Sequence, residues 1–131
     1  VLAATEEVNP AMPATLEAAA LAKMAERGQI RHGIVDGPLA FDVAISARAA
    51  AEKGLASRVA GDPDVLLVPD IEAGNALYKQ AAYLAGAELG GLVLGAAVPV
   101  LLTSRADSVA TRINSCVLAS LYAHWLGSGG G

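Results

Sequence analysis

Short apolar runs rich in Val, Ile and Leu give way repeatedly along this chain to longer stretches patterned as helices, and that alternation restricts the fold more than anything else in it. Val65-Leu66-Leu67-Val68 is too short for a helix and β-branched at both ends, so it reads as a strand. The stretch from Ile71 to Gly86 that follows it reads as a helix. The switch recurs at Val100-Leu101-Leu102, after which a closing helix is expected from Arg105 to Trp125. Leu92-Val93-Leu94 is a further strand. Ile34-Val35 is a brief buried one leading into the turn Asp36-Gly37-Pro38, and the first strand ends near Thr5. Pro13 and Thr15 open a helix through Arg27 with Leu16, Ala19, Ala20 and Met24 on its apolar face, and Gly28 stops it. Phe41 to Lys53 forms another helix, ended by Gly54. Strands alternating with helices imply an α/β fold: a three-layer αβα sandwich with a mainly parallel sheet.

Composition removes several function classes. The chain has 131 residues, room for one domain or part of one. Hydrophobic residues make up 54%, but much of the excess is alanine, which favours close-packed helices over a greasy surface. The longest apolar stretch, Leu89 to Leu102, is interrupted by Gly90, Gly91, Gly95 and Pro99 and is shorter than the ~20 residues a spanning helix needs. A net charge of −4 leaves no basic stripe for nucleic acid, so an anionic ligand has to be captured by local geometry. The single cysteine, Cys116, excludes an intrachain disulfide framework and fits a reducing compartment, so a cytoplasmic location is expected. Cys116 is expected in the core, and His32 and His124 have no partner at ligand spacing, so no metal site is expected. Val1 to Thr5 reads as a strand already under way without an initiator methionine. The expectation is a piece of a longer protein that lacks its N-terminal half, with residues 1–126 as domain and 127–131 as a flexible tail.

Ligands of parallel α/β sheets bind at the carboxyl ends of strands, and two strand-to-helix junctions carry polar residues there. In Leu102-Thr103-Ser104-Arg105-Ala106-Asp107-Ser108, backbone N–H groups, Ser104 and Arg105 stand at a helix start, a ready anion site. The bland alternative makes Ser104 an N-cap and Arg105 a solvated first-turn residue. In Val68-Pro69-Asp70-Ile71-Glu72-Ala73-Gly74-Asn75, Glu72 and Asn75 either shape a cleft or accompany a helix capped by Asp70, with Gly74 allowing close packing. Asp36 either lines the same cleft or serves its turn.

Taken in order, Asp36-Gly37-Pro38-Leu39-Ala40-Phe41-Asp42, Val59-Ala60-Gly61, Pro69 to Asn75 with Tyr78-Lys79, and Thr103 to Ser108 resemble the C-terminal half of the phosphate acetyl/butyryltransferase family. Asn9-Pro10 with Met12-Pro13, and Leu102 to Ser108, are most similar to its butyryltransferase-like branch, which includes the phosphotransacetylase part of bifunctional enoyl-CoA hydratase enzymes. The resemblance runs from about Val1 to Tyr122. It implies an isocitrate-dehydrogenase-like two-domain fold with the active site in the interdomain cleft. It also implies a dimer, and reversible acyl transfer between coenzyme A and phosphate with no tightly bound cofactor and no metal. Ser104 and Arg105 then handle the acyl-phosphate group, Thr103, Asp36, Glu72 and Asn75 are further substrate-binding candidates, and Ser104, Arg105 and Asp107 are the catalytic candidates. Acetyltransferase-type members carry a catalytic aspartate one to two turns into this helix, where the present chain reads Thr111-Arg112. Asp107 therefore fits two roles, the base or the acidic half of a capping box three residues after Ser104. A non-catalytic anion-binding or oligomerisation module is the alternative function. A metal- and NAD-dependent decarboxylating dehydrogenase lacks its aspartate cluster here.

Overall fold

The computed structural model describes residues 1–129. The chain divides into two compact units, Val1–Ala76 and Leu77–Gly131, and each is described on its own. Five helices account for its regular structure among the described residues: α1 Pro13–Glu26, α2 Phe41–Ile45, α3 Ala47–Glu52, α4 Ile71–Tyr83 and α5 Val109–Gly127.

In the first unit, α1 starts and stops where the sequence places it. Thr15 is fully buried. Its hydroxyl takes the Asn9 N–H at 2.9 Å and lies within hydrogen-bond reach of the Asn9 and Met12 carbonyls, which pins the proline loop to the helix start. Gly28, at φ +74°, ends the helix in the left-handed conformation a glycine adopts without penalty. The buried face of α1 is Thr15 and Ala18, not the expected one: Leu16 and Met24 are exposed.

The helix expected over Phe41 to Lys53 is two helices. Ser46 is extended (φ −131°, ψ 110°) and its hydroxyl caps α3 by accepting the Ala49 N–H. The break is imposed from outside: the Gly61 N–H takes the Ala44 carbonyl at 2.8 Å. A Cβ on Gly61 would lie 2.5 Å from the Ala47 nitrogen, so only glycine permits this approach. Gly54, at φ +67°, ends α3 as expected.

Strand pairing is sparser than expected. Leu2 forms a parallel bridge with Leu39. Ala3 donates its N–H to the Leu39 carbonyl at 2.9 Å, and Leu39 donates to Val1 at 3.0 Å. On the opposite edge Leu2 donates to the Leu67 carbonyl at 2.8 Å. Successive N–H groups of a strand point to opposite sides, so the segments lie in the order 39, 2, 67. The extended segment thus sits at Leu39, which is buried with Pro38. Ile34, expected inside, is 55% exposed because the chain pairs only after the Asp36–Pro38 turn.

In the second unit, Val93 pairs with Val100 in an antiparallel bridge around Gly95, not as two parallel strands. The expected Val100–Leu102 strand leaves Leu102 76% exposed, as Val65 is in its own run. Among the described residues these edges have too few partners to form a ladder. The segment 89–91 is instead fastened to α5: Asn114 donates its side-chain amide to the Leu89 carbonyl, and the buried Ser115 hydroxyl accepts the Gly91 N–H. Helix α5 extends to Gly127, with Ser128 closing on the His124 carbonyl, so Gly127 is helical. Gly130 and Gly131 lie outside the described residues.

Candidate functional site

The segment Thr103–Ser108 is a closed turn ahead of α5, and not the first turn of that helix. Ser108 is the N-cap, its hydroxyl accepting the Thr111 N–H at 3.0 Å, so α5 starts four residues later than Arg105. Serine ends both the expected and the observed cap, and what selects Ser108 is the bond pattern just upstream. Asp107 Oδ2 accepts the Ser104 N–H at 2.6 Å, and the Asp107 N–H returns to the Ser104 carbonyl at 3.1 Å. A ring closed in this way competes with helical bonding and holds the chain out of the helix. Ser104 is therefore not a helix N-cap. Its hydroxyl accepts only a long bond, 3.4 Å, from the Ala106 N–H, and its own proton remains available to donate.

Arg105 is exposed beside this ring, and Arg112 reaches back from α5 to donate to the Arg105 carbonyl at 3.3 Å. Thr103 is exposed, and Ser104 and Asp107 are half-buried. The structure thus brings Thr103, Ser104, Arg105 and Asp107 together on one turn. Asp107 also borders a cavity of about 200 Å³ lined by Tyr78, Lys79 and Tyr83. Burial pushes the Tyr78 phenol above its ordinary pKa and the nearby Asp107 carboxylate adds to the rise, so Tyr78 stays a neutral donor. The Lys79 ammonium stands 5.5 Å from the Tyr78 ring centre and 5.9 Å from that of Tyr83, within cation–π range. The sequence signals this group only through the Tyr78-Lys79 pair.

The remaining candidates belong to the first unit. Both Asp36 carboxylate oxygens are occupied within the chain, Oδ1 by the Gly37 N–H at 2.8 Å and Oδ2 by the Ser57 hydroxyl. Ser57 in turn accepts the Val59 and Ala60 N–H groups, which ties the two loops together around the cis Gly37–Pro38 peptide. Asp36 and Ser57 border an open cavity of about 660 Å³ with Lys23, Glu26 and Arg58. Nothing in the sequence pointed to Ser57, because its partner lies 21 residues away. Glu72 and Asn75 are both exposed on the start of α4. The helix is capped as the plainer reading holds: Asp70 accepts the Ala73 N–H at 2.7 Å, and a Cβ on Gly74 would touch Val68 at 3.0 Å.

Cys116, expected in the core, is exposed on α5, because the inward face of that helix is the pair Ser115 and Ala119. It lies instead in an apolar groove with Val109, Ile113, Val117 and Leu121. Among the described residues no group of three or more His, Cys, Asp or Glu side chains is arranged to hold a metal ion. None of the helices is long and apolar enough to cross a membrane.

A protein-family model described as phosphate acetyl/butaryl transferase matches residues 1–120. A phosphate acetyltransferase of Rickettsia felis is 60% identical over 125 residues, covering 95% of this chain and 36% of that protein. A phosphate butyryltransferase of Clostridium acetobutylicum is 51% identical over 122 residues, 93% of this chain and 40% of its own length. The crystal structure of a branched-chain phosphotransacylase from Enterococcus faecalis V583 matches with a TM-score of 0.82 at 38% identity, covering 94% of this chain and 44% of that one. The chain thus shares the fold of the matching part of that protein, and it spans between 36% and 44% of the length of these relatives.

Proposed function

This chain belongs to the phosphate acetyl/butaryl transferase family, and from that premise we propose that the protein of which it forms part transfers an acyl group, of acetyl or butyryl type, between coenzyme A and inorganic phosphate. The observation that carries this reading is that the matched residues, 1–120, include the whole Thr103–Ser108 turn, which carries a hydroxyl, a guanidinium and a carboxylate within four residues. The motif resemblance supports reading the chain as the C-terminal portion of the transferase domain, and alone it turns over poorly because a cleft enzyme needs both walls. The same relationship supports a three-layer αβα arrangement for the whole, of the isocitrate-dehydrogenase-like two-domain kind.

In the forward direction a phosphate oxygen attacks the thioester carbonyl carbon, a C–O bond forms, and the tetrahedral intermediate collapses with cleavage of C–S. The thiolate leaves and takes a proton to become CoA. In reverse, CoA must lose its thiol proton, which at a pKa of about 8.5 is mostly in place at neutral pH. Arg105 is suited to the phosphate, since a planar guanidinium matches two phosphate oxygens at once. The Ser104 hydroxyl is the donor for the oxyanion, because the Ser104 N–H is already taken by Asp107. Thr103, exposed next to Ser104, completes the contact to the acyl phosphate, and Asp36, Glu72 and Asn75 are further substrate-binding candidates. No tightly bound cofactor and no metal are needed. Coenzyme A is a substrate, the location is cytoplasmic, and the assembly is a homodimer.

Release of CoA from acyl-CoA and phosphate by the whole protein, followed with a thiol reagent, tests the reading. Acetyl- or butyryl-CoA should be consumed in a phosphate-dependent way, and EDTA should leave the rate unchanged. Absence of CoA formation refutes the activity, and loss with EDTA that a divalent ion restores refutes the metal-free step.

A further inference from the structure

Two side chains hold the Thr103–Ser108 turn closed. Asp107 takes the Ser104 N–H at 2.6 Å from one side, and Arg112, from the first turn of α5, takes the Arg105 carbonyl at 3.3 Å from the other. These tethers act on the peptide groups either side of the Ser104–Arg105 pair, the Ser104 N–H before it and the Arg105 carbonyl after it. A free turn samples several backbone wells, and each residue fixed in one well costs about 1–2 kcal/mol of conformational freedom. The tethers meet that cost in the folded protein, before any ligand arrives.

A proton acceptor has to present its lone pair to the reacting proton. Oδ2 of the Asp107 carboxylate is committed to a backbone N–H by a short, charge-assisted bond, and the Asp107 N–H completes the ring with Ser104. We propose that Asp107 is a positioning residue and not the base: its carboxylate fixes the Ser104 peptide so that the Ser104 hydroxyl is held for the oxyanion while the neighbouring Arg105 guanidinium holds the phosphate. This rests on reading the turn as the acyl-phosphate site. It separates cleanly from a base role, because an amide oxygen accepts the same N–H but cannot take up a proton at neutral pH.

The test compares Asp107→Asn and Asp107→Ala in the whole protein. CoA release gives kcat and KM for acyl phosphate, and hydrogen exchange follows the Ser104 amide. Asp107→Asn should keep kcat within about threefold of the parent, whereas Asp107→Ala should lose roughly ten- to a hundredfold with a raised KM, the scale expected for a misplaced catalytic group. The Ser104 amide should stay protected in the parent and in Asp107→Asn and exchange fast in Asp107→Ala. A loss of about a hundredfold or more in Asp107→Asn, the scale of a missing base, overturns the proposal. So does an Asp107→Ala enzyme as active as the parent. If the parent forms no CoA, the acyl-transfer reading falls by itself and exchange alone settles the tether: equal exchange in all three proteins overturns it, and selective loss in Asp107→Ala upholds it.

Discussion

Arg105→Ala should separate chemistry from stability. The side chain is exposed, lies upstream of the α5 cap and makes no ion pair among the described residues. The bond that Arg112 donates there ends on the main-chain carbonyl and survives the substitution. Removing the guanidinium should therefore change folding stability by less than about 0.5 kcal/mol, the range for surface positions. Catalysis should respond differently. Two charge-assisted hydrogen bonds to the phosphate, at about 1.5 kcal/mol each, amount to about 3 kcal/mol in the transition state, roughly a hundredfold in rate. Arg105→Lys should restore part of this, because an ammonium supplies the charge without the planar fork. The assay is kcat/KM for acyl phosphate in the whole protein, beside thermal melts of the same variants. Activity of Arg105→Ala within about twofold of the parent, far below the loss of even one such bond, would refute the assignment of the turn as the phosphate site.

Lys53 bonds both Glu6 and Asp42, at 3.0 and 3.3 Å. The Lys53 bond is the main cause holding Glu6 below its ordinary pKa, and the Val43 N–H followed by Lys53 does the same for Asp42. Both groups bind protons more readily when unfolded, so their contribution is present above about pH 4.5 and lost as pH falls through the lower folded values. Lys53→Met should flatten the acid limb of a melting-temperature profile, and an unchanged slope would refute the linkage. Gly61→Ala should destabilise by about 1–3 kcal/mol, since it sets a Cβ 2.5 Å from the Ala47 nitrogen at φ +94°; a melt within a degree of the parent would show that α2 and α3 yield easily. The exposed apolar line Val109, Ile113, Val117 and Leu121 on α5 should support self-association. Light scattering that finds the whole protein monomeric at tens of micromolar speaks against it, and Leu121→Glu should shift the assembly towards monomer.

Much of this protein was legible from residue order alone, because the signals are local. Pro13 and Gly28 bound α1, Gly54 ends α3 and Asp70 caps α4, each through backbone conformations or caps that act within a few residues. The family, too, follows from short motifs kept in order, and the match over residues 1–120 agrees with them. At the candidate site, the co-location of Thr103, Ser104, Arg105 and Asp107 needed only their adjacency.

Tertiary structure decided the rest, through bonds between residues far apart. Periodicity continues smoothly across Ser46, yet the helix breaks there because Gly61 delivers an N–H to Ala44 from another loop. Asp36 reads as a free carboxylate until Ser57 occupies its second oxygen. Cys116 and Ser115 are neighbours in an apolar pattern, and the choice of the serine for the core depends on the Gly91 N–H waiting for its hydroxyl. At the turn, capping preferences rank Ser104 and Ser108 alike, and the Asp107 ring selects the second. A sequence states which groups can donate and accept. Which donor reaches which acceptor is settled only when the packed chain brings them within 3 Å, since a buried polar group left unpaired costs more than the local preference it overrides.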